Sequence, residues 1–448
     1  MRIYLETLGC RLNYAEMAAL GRQLVASGHD LTDSAVGADL CVLNSCTVTG
    51  EAARKSRQLV RQMARANPAA RLVVTGCYAT LEGAAVAELP NVALVVGNAR
   101  KDDLLALIRD FRSQGSGVRG QEPKRVGPPD KSAIGNQQSA IGHRTRAFIK
   151  VQDGCHNRCT FCIVTVARGD ERSRPVAEVV AEVNALHREG YQEAVLTGVH
   201  LAAYGRDEGG DLRALVIALL ADTTIPRLRL SSLEPFDLAP DFFDLWGESA
   251  GRLMPHLHLP AQAGSDAVLR RMARRNRAAD FEALVAAARA CIPGLTVTTD
   301  LIVGFPGETE VDFADTVAFA RRVGFAHLHV FPYSARAGTA AARFDGQVPK
   351  AERQRRSRLL NGLDAELGRA VRAGFLGQTR PVLWENRVED SRQTGFVGSG
   401  AVIWSGLTDN YLRVLTAAPA GLDLHNRITS VRLARLDGDD LWGDVVMR

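Results

Sequence analysis

No run in this 448-residue chain reaches the roughly eighteen uninterrupted apolar residues that a helix needs to cross a bilayer. The opening segment, Met1-Arg2-Ile3-Tyr4-Leu5-Glu6-Thr7, lacks the apolar core of a secretory signal and reads as a strand. A cytoplasmic protein with no membrane partner is expected. Charge of one sign is lacking too: 55 Lys and Arg against 50 Asp and Glu leave +5, which permits a nucleic-acid partner without requiring one. With 46% hydrophobic and 23% charged residues, the composition excludes wholesale disorder and a collagen-like fibre. It supplies apolar material for several cores, about three domains at this length. Cysteine is scarce. Eight cysteines in a reducing compartment favour metal or redox chemistry over a disulfide framework.

The expected fold class is α/β and multidomain. Residues 1–112 alternate strand patterns at 2–7, 39–44, 71–76 and 92–97 with helical patterns at 14–27, 50–66, 80–88 and 101–111, which predicts a parallel sheet covered by helices. Residues 113–143 are rich in Gly, Ser, Gln, Pro and basic residues, repeat Ser-Ala-Ile-Gly at 132–135 and 139–142, and read as a linker. Residues 144–372 carry six strand patterns, at 146–151, 193–197, 226–231, 256–260, 295–302 and 326–331. Helical patterns at 176–188, 265–275 and 309–323 lie between them, and a basic helix at 349–373 follows. Serial β-α units predict a partial (βα)6 barrel. Residues 374–446, with turn signals at Gly395, Gly398, Gly400 and Asp409-Asn410, read as a small antiparallel β-barrel.

The strongest chemical signal is Cys155-His156-Asn157-Arg158-Cys159-Thr160-Phe161-Cys162, just after the first barrel strand. Thiolates suit soft metals, and this spacing lets one loop wrap a compact centre. A structural zinc would need a fourth ligand, and His156 is badly placed beside Cys155. Three ligands on a 4Fe-4S cluster leave one iron open to chelate S-adenosylmethionine, whose sulfonium bond an electron can then cleave. A zinc knuckle or a simple electron carrier is the blander alternative.

Barrel active sites lie at the C-terminal ends of strands. Thr197 and Gly198, Ser231 and Glu234, Gln262, Gly304 and the Arg336–Thr339 stretch follow successive strand patterns and are candidate cofactor contacts. Phe161 is placed either to pack on an adenine or to sit in a core. In the first domain Cys10, Cys46 and Cys77 each follow a strand, so one sheet edge can gather them for a second 4Fe-4S cluster. The alternative is three buried structural thiols. Cys41 and Cys291 are assigned to packing. His256, His258, His327 and His329 are expected to line the barrel interior and form hydrogen bonds, with ligation as the alternative.

Taken in order, these residues resemble the radical S-adenosylmethionine methylthiotransferases over nearly the whole chain. Cys10, Cys46 and Cys77 look like that family's auxiliary-cluster ligands, and Cys155, Cys159 and Cys162 like its radical-cluster ligands. Asp300–Glu308 and His329–Tyr333 also match, and the C-terminal segment is similar to the family's RNA-binding TRAM barrel. Thr7-Leu8-Gly9-Cys10-Arg11-Leu12-Asn13 and Asn44-Ser45-Cys46-Thr47-Val48-Thr49 resemble the branch acting on N6-threonylcarbamoyladenosine at tRNA position 37. The chain departs from many relatives at Ile163–Ala167 and at Ala263.

The resemblance implies methylthiolation at adenine C-2, with one S-adenosylmethionine giving a methyl group and a second giving a radical. It implies two 4Fe-4S clusters, a tRNA anticodon loop whose target base leaves its stack, an electron donor such as ferredoxin or flavodoxin, and a sulfur donor. Isopentenyladenosine tRNA, a ribosomal protein, or a non-catalytic iron–sulfur RNA-binding role are the alternatives. Basic runs at Arg54–Arg61, Arg270–Arg277 and Arg353–Arg358 read as solvated faces or RNA contacts. Trp384, Trp404 and Tyr411 read as base-stacking or core residues.

Overall fold

The computed structural model describes residues 1–113, 145–388 and 401–446. The linker expected at 113–143 lies, apart from its first residue, outside the described residues. So do the turn signals Gly395, Gly398 and Gly400.

The first domain runs β1 (Arg2–Thr7), α1 (Arg11–Ala26), β2 (Asp30–Thr32), β3 (Leu40–Ser45), α2 (Gly50–Ala66), β4 (Arg71–Gly76), α3 (Cys77–Leu81), α4 (Gly83–Ala87), β5 (Val92–Val96) and α5 (Leu104–Ser113). The strands form one parallel sheet in the order β2-β1-β3-β4-β5. Every residue of the central strand β3 is buried, as its apolar sequence requires when helices cover both faces. Side-chain alternation divides the core. Tyr4, Leu43 and Val74 meet Val60 and Met63 of α2, while Ile3, Val42 and Val73 meet Leu24 of α1 and Ile108 of α5. Thr49 caps α2 by accepting a hydrogen bond from the Ala52 N–H. One strand is not expected from the sequence, and one helix expectation needs correction here. β2 is too short to leave a pattern, and the helix expected at 80–88 is two short helices broken at Glu82, whose backbone leaves the helical region.

The second domain holds β6 (Arg146–Lys150), β7 (Gln152–Asp153), α6 (Val164–Arg168), β8 (Arg172–Ser173), α7 (Val176–Arg188), β9 (Glu193–Thr197), α8 (Leu212–Asp222), β10 (Arg227–Leu230), α9 (Leu245–Glu248), β11 (His256–His258), α10 (Asp266–Arg271), α11 (Ala278–Cys291), β12 (Thr296–Val303), α12 (Glu310–Val323), β13 (His327–Pro332) and α13 (Lys350–Gly374). Six parallel strands follow the order β6-β9-β10 and β11-β12-β13, and an isolated Ser232–His258 bridge joins the two triplets. This is the partial (βα)6 barrel, with an apolar layer between strands and helices built from residues such as Ile149, Leu196, Leu230, Leu257 and Leu301. Cys41 is buried in the first core, as expected, but Cys291 is exposed at the end of α11, while Ala288 and Ile292 beside it take the places in the core.

The third domain is a closed five-strand barrel of β14 (Thr379–Arg387), β15 (Ala401–Thr408), β16 (Arg413–Pro419), β17 (Ile428–Asp437) and β18 (Asp440–Val445). Its pairs are antiparallel except β16 with β18, which run parallel. Trp384 and Trp404 lie inside it at 0% and 2% exposure, so neither is a base-stacking surface residue. A small barrel has to fill its interior with large side chains.

The turn at 408–412 closes the floor of the second domain. Arg229 donates to Asp409 O at 3.0 Å, Arg227 to Pro381 O at 2.8 Å, and Asn410 to Gly294 O at 3.1 Å. Tyr411, with φ +71°, stacks on His256 at 4.5 Å between ring centroids and lies 4.8 Å beneath the Arg229 guanidinium. It too is a docking residue, not a free stacking platform. Arg229 itself makes a two-pronged pair with Glu193 at 2.7 and 3.1 Å, both side chains fully buried.

Candidate active site

Parallel register sets the first group of thiols. Thr7 pairs with Asn44, and Asn44 with Thr75, so β1, β3 and β4 end at nearly one level. Cys10, Cys46 and Cys77 emerge there. A Cβ added to Gly9 would stand 2.8 Å from the Cys46 Sγ, and the Cys46 thiol feels the charges of both Cys10 and Cys77. Burial is the largest influence on Cys46 and pushes its thiol up to about 11. A thiolate there needs a compensating cation, which is what a cluster iron provides.

The second group lies where β6 and β7 deliver the chain to the barrel top. Cys155, Cys159 and Cys162 occupy one loop, closed by Cys162 N–H to Cys159 O at 3.0 Å and tied to the barrel by Thr160 N–H to Met272 O at 3.1 Å. Burial again dominates, pushing Cys162 up to about 12. Donors surround these sulfurs. The Asn157 N–H lies 3.3 Å from Cys155 Sγ, the Val164 N–H 3.4 Å from Cys162 Sγ, and Arg274 Nη1 3.9 Å from Cys159 Sγ. Such N–H groups stabilise sulfur anions around iron–sulfur centres. His156 faces Asp170 and Glu171, both at 3.3 Å, and so does not complete a zinc set. Three sulfurs ringed by donors fit a three-thiolate 4Fe-4S cluster, and the set at Cys10, Cys46 and Cys77 fits a second.

Gly154 is what lets the loop begin. Its φ is +72°, and a Cβ there would fall 1.8 Å from Asp170 O. Gly76, at φ +97°, plays the same part before Cys77, against Ser45 O at 2.3 Å. Gly154→Ala adds a left-handed penalty of about 1–2 kcal/mol to a backbone collision. The expected result is loss of the iron held by the 155–162 loop with the first domain's iron retained, measured as iron per chain after anaerobic reconstitution.

One short helix separates the two thiol groups. α6 begins two residues after Cys162 and packs on α3, which begins at Cys77. Asn98 bridges them, its Nδ2 lying 3.6 Å from Cys77 Sγ and 2.7 Å from Ala167 O. Arg168, at the end of α6, reaches Glu16 at 3.0 Å, Asp153 at 2.9 Å and Asn13 at 2.8 Å. Lys101 and Lys150 also converge on Glu16, at 2.6 and 3.5 Å. Burial alone would raise the Glu16 carboxyl, but these three cations hold it well below the usual range. On the opposite side Arg336 donates to Thr47, next to Cys46, and Ser334 Oγ accepts from the Gly50 N–H at 3.3 Å. The first domain is thus fastened to the barrel on both flanks of its thiols. A cleft of about 440 Å³ opens beside this junction, lined by Glu16, Asn44, Lys101, Lys150, Arg174 and Glu182 among others.

The remaining candidates are placed as follows. Glu234 pairs with Arg274 at 2.6 Å, and Arg274 is the arginine beside Cys159, so Glu234 is reached through that cation. Ser231 Oγ is buried at the end of β10 with no hydrogen-bond partner among the described residues. Gln262 takes a left-handed backbone, φ +69°, while its main chain bridges to Asp300 and Ile302. Thr197 is buried at the end of β9, its carbonyl accepting from the Val151 N–H. Phe161 meets Phe305 edge-on at 6.5 Å, within a satellite core. A Cβ at Gly198 would meet Gln152, and one at Gly304 would meet Arg353, so the packing of protein groups already calls for glycine at both candidate positions.

Sequence patterns missed His200. Its Nδ1 contacts Glu171 at 2.9 Å, its Nε2 contacts Asp237 at 2.7 Å, and Cys155 Sγ lies 3.9 Å away. Burial opposes protonation, yet hydrogen bonds to Asp237, Cys155 and Glu171 raise the imidazole to about 10 and make it a fixed cation beside the loop. The basic runs also divide. Arg274 and Arg356 are buried and paired with Glu234 and Glu308, whereas Arg54, Arg61, Arg270, Arg277 and Arg358 remain exposed.

Known proteins resemble this chain. The profile described as Radical SAM superfamily matches residues 149–320, and that described as Uncharacterized protein family UPF0004 matches residues 2–97. The threonylcarbamoyladenosine tRNA methylthiotransferase MtaB of Bacillus subtilis is 34% identical over 96% of this chain and 93% of its own. The tRNA-2-methylthio-N(6)-dimethylallyladenosine synthase of Sorangium cellulosum is 35% identical over 99% of this chain and 93% of its own. Among solved structures, the radical S-adenosylmethionine methyltransferase TsrM of Kitasatospora setae superposes with a TM-score of 0.53 at 16% identity, covering 74% of this chain and 72% of that one, a likeness of fold alone.

Proposed function

The chain belongs to the radical S-adenosylmethionine methylthiotransferase family, and from that premise we propose that it places a methylthio group on C-2 of N6-threonylcarbamoyladenosine at tRNA position 37. Its cofactors are S-adenosylmethionine and 4Fe-4S clusters, as in the family. Cys155, Cys159 and Cys162 would hold one cluster and Cys10, Cys46 and Cys77 the other. Bound there, the clusters supply one-electron reduction of the S-adenosylmethionine sulfonium and a site for transferable sulfur.

The chain's own residues supply positioning and charge. Arg274 and His200 set positive charge beside the 155–162 loop. Arg168 and Asn98 bind the two thiol sets through α6, and this shared helix is the observation that carries the reading, because both halves of the reaction must meet at one base. Ser231, with its unpartnered hydroxyl, is the candidate for a direct polar contact with S-adenosylmethionine. In this reading residues 1–112 carry the auxiliary chemistry, residues 144–372 the radical chemistry and residues 374–446 contacts to the RNA. Exposed Arg54, Arg61, Arg270, Arg277 and Arg358 supply phosphate contacts and a salt-dependent affinity.

The reaction also calls for a one-electron donor such as a ferredoxin or flavodoxin and for a sulfur donor. No described helix is long and apolar enough to cross a membrane. We place the activity in the cytoplasm with its tRNA substrate. Mass spectrometry of tRNA nucleosides from a deletion strain tests the assignment. Loss of the 2-methylthio mark from threonylcarbamoyladenosine is expected. Loss from dimethylallyladenosine instead would favour the second reading, which the Sorangium relative supports at nearly equal identity.

A further inference from the structure

The substrate branches differ in what hangs on adenine N6. A threonylcarbamoyl group carries a carboxylate, a hydroxyl and urea N–H groups, whereas a dimethylallyl group is wholly apolar. Relatives of both kinds match this chain at 34% and 35% identity. The barrel lumen separates them by chemistry.

On the inner faces of β11, β12 and β13 stand His258, Asp300 and His329. One ligating atom from each lies within 4.8 Å of the others. His258 Nδ1 is fixed on Thr298 Oγ1 at 2.9 Å, which turns its Nε2 toward Asp300 at 3.4 Å. Asp300 belongs to the middle strand of its triplet, yet its side chain is 28% exposed, so open space adjoins it. Burial would raise the Asp300 carboxyl, but His258, His329 and Arg11 lower it, and it stays ionised. Burial pushes His329 down to about 4 and keeps it neutral, an acceptor and donor without charge.

The cation of this group comes from the other domain. Arg11, next to Cys10, extends from the start of α1 to the lumen floor. Its Nη2 donates to the Tyr411 hydroxyl at 2.9 Å, and its guanidinium sits 5.6 Å from that ring's centroid. Its charge is felt at His256, Asp300 and His329. Among the described residues no carboxylate forms an ion pair with it, whereas the part-buried Arg22 and Arg174 both pair with Glu182, at 2.5 and 2.6 Å. An apolar substituent entering this space would strip water from Arg11 and Asp300 and return nothing. A simple anion would meet Asp300. A divalent cation would meet Arg11. A group bearing one carboxylate together with hydroxyl and N–H donors answers every member of the set.

Resting on the substrate class proposed above, we infer that Arg11 is the specificity-determining residue, reading the carboxylate of the N6 substituent while Asp300, His258 and His329 take its hydroxyl and N–H groups. The reader of the substituent therefore sits one residue from an auxiliary-cluster thiol, so recognition and sulfur delivery share one turn of chain.

The test uses the reconstituted full chain and synthetic anticodon stem–loops carrying threonylcarbamoyladenosine, its threonyl methyl ester, dimethylallyladenosine or plain adenosine at the target position. Binding is read by titration, without turnover. Wild-type protein is expected to hold the free acid about tenfold to a hundredfold more tightly than the ester, the range for a charge-assisted hydrogen bond. Arg11→Gln should bind acid and ester alike with wild-type iron content, and Arg11→Lys should restore part of the difference. Tyr411→Phe, which removes the hydroxyl under Arg11 but keeps the ring, should retain the preference. If Arg11→Gln still prefers the acid, or Tyr411→Phe loses the preference equally, the role given to Arg11 falls while the substrate stands. If wild-type protein prefers the dimethylallyl hairpin or ignores the substituent, the substrate reading itself falls.

Discussion

Replacing Cys159 with alanine should take the iron content of the reconstituted chain from about eight ions to about four and abolish release of 5′-deoxyadenosine. Two thiolates cannot hold a cluster that needs three, and Arg274, which now lies 3.9 Å from that sulfur, keeps Glu234, the Pro260 carbonyl and the Phe236 ring as partners. Cys10→Ala should behave oppositely. Iron should fall by the same amount, but S-adenosylmethionine should still be cleaved with reductant because the 155–162 loop is untouched, and no methylthio product should form. Iron assay, liquid chromatography of 5′-deoxyadenosine and nucleoside analysis separate the two variants. Equal loss of cleavage in both would mean that the thiol groups form one centre.

Glu193→Gln should lower barrel stability by about 3–5 kcal/mol, the cost of leaving a buried cation without its partner. Arg229 loses one prong of its pair and the charge it faces, Arg227 loses a carboxylate at 3.6 Å, and neither guanidinium reaches solvent. A thermal midpoint lower by roughly 10 °C is the readout. Burial alone would raise this carboxyl, but Arg229 above all, with Arg146 and Arg227, holds it down at about 2 from the usual 4.5. A depressed carboxyl contributes fully above its unfolded value and loses that contribution as pH falls through its folded value. The gap between wild type and variant should therefore be constant from neutrality to about 4.5 and narrow toward pH 2. A gap that widens on acidification would place the charge elsewhere.

How far the sequence carries depends on the range of the interaction. The strands of the first two domains are legible because parallel strands buried on both faces are short apolar runs, and β3 is the plainest case. The cysteine groups are legible because each thiol follows a strand, and parallel strands end together. The buried junction is not. Glu16 meets Lys101 and Arg168 across 85 and 152 residues, and nothing local marks those side chains as partners. Arg274 and Arg356 look like their solvated neighbours in a basic run, since only the fold decides which arginine of the run turns inward. His200 lies two residues after Gly198 but carries no motif. Trp384 and Trp404 fit a binding surface or a barrel core equally well until the barrel closes around them. Gly198 and Gly304 are visible as special positions, but what occupies the space a side chain would take, Gln152 or Arg353, is set by tertiary packing.

The 408–412 turn has a consequence for target choice. Because Arg229 and Asn410 bolt that turn to the strand floor, and Arg227 holds the Pro381 carbonyl of β14 beside it, the C-terminal barrel cannot pivot as a tethered arm does. A stem gripped there would present its loop at a set reach, and the nucleotide arriving between the two sulfur groups would be chosen by distance as well as by chemistry. Lengthening the anticodon stem by one base pair should move the modification to a neighbouring nucleotide or stop it, even when the loop sequence is unchanged.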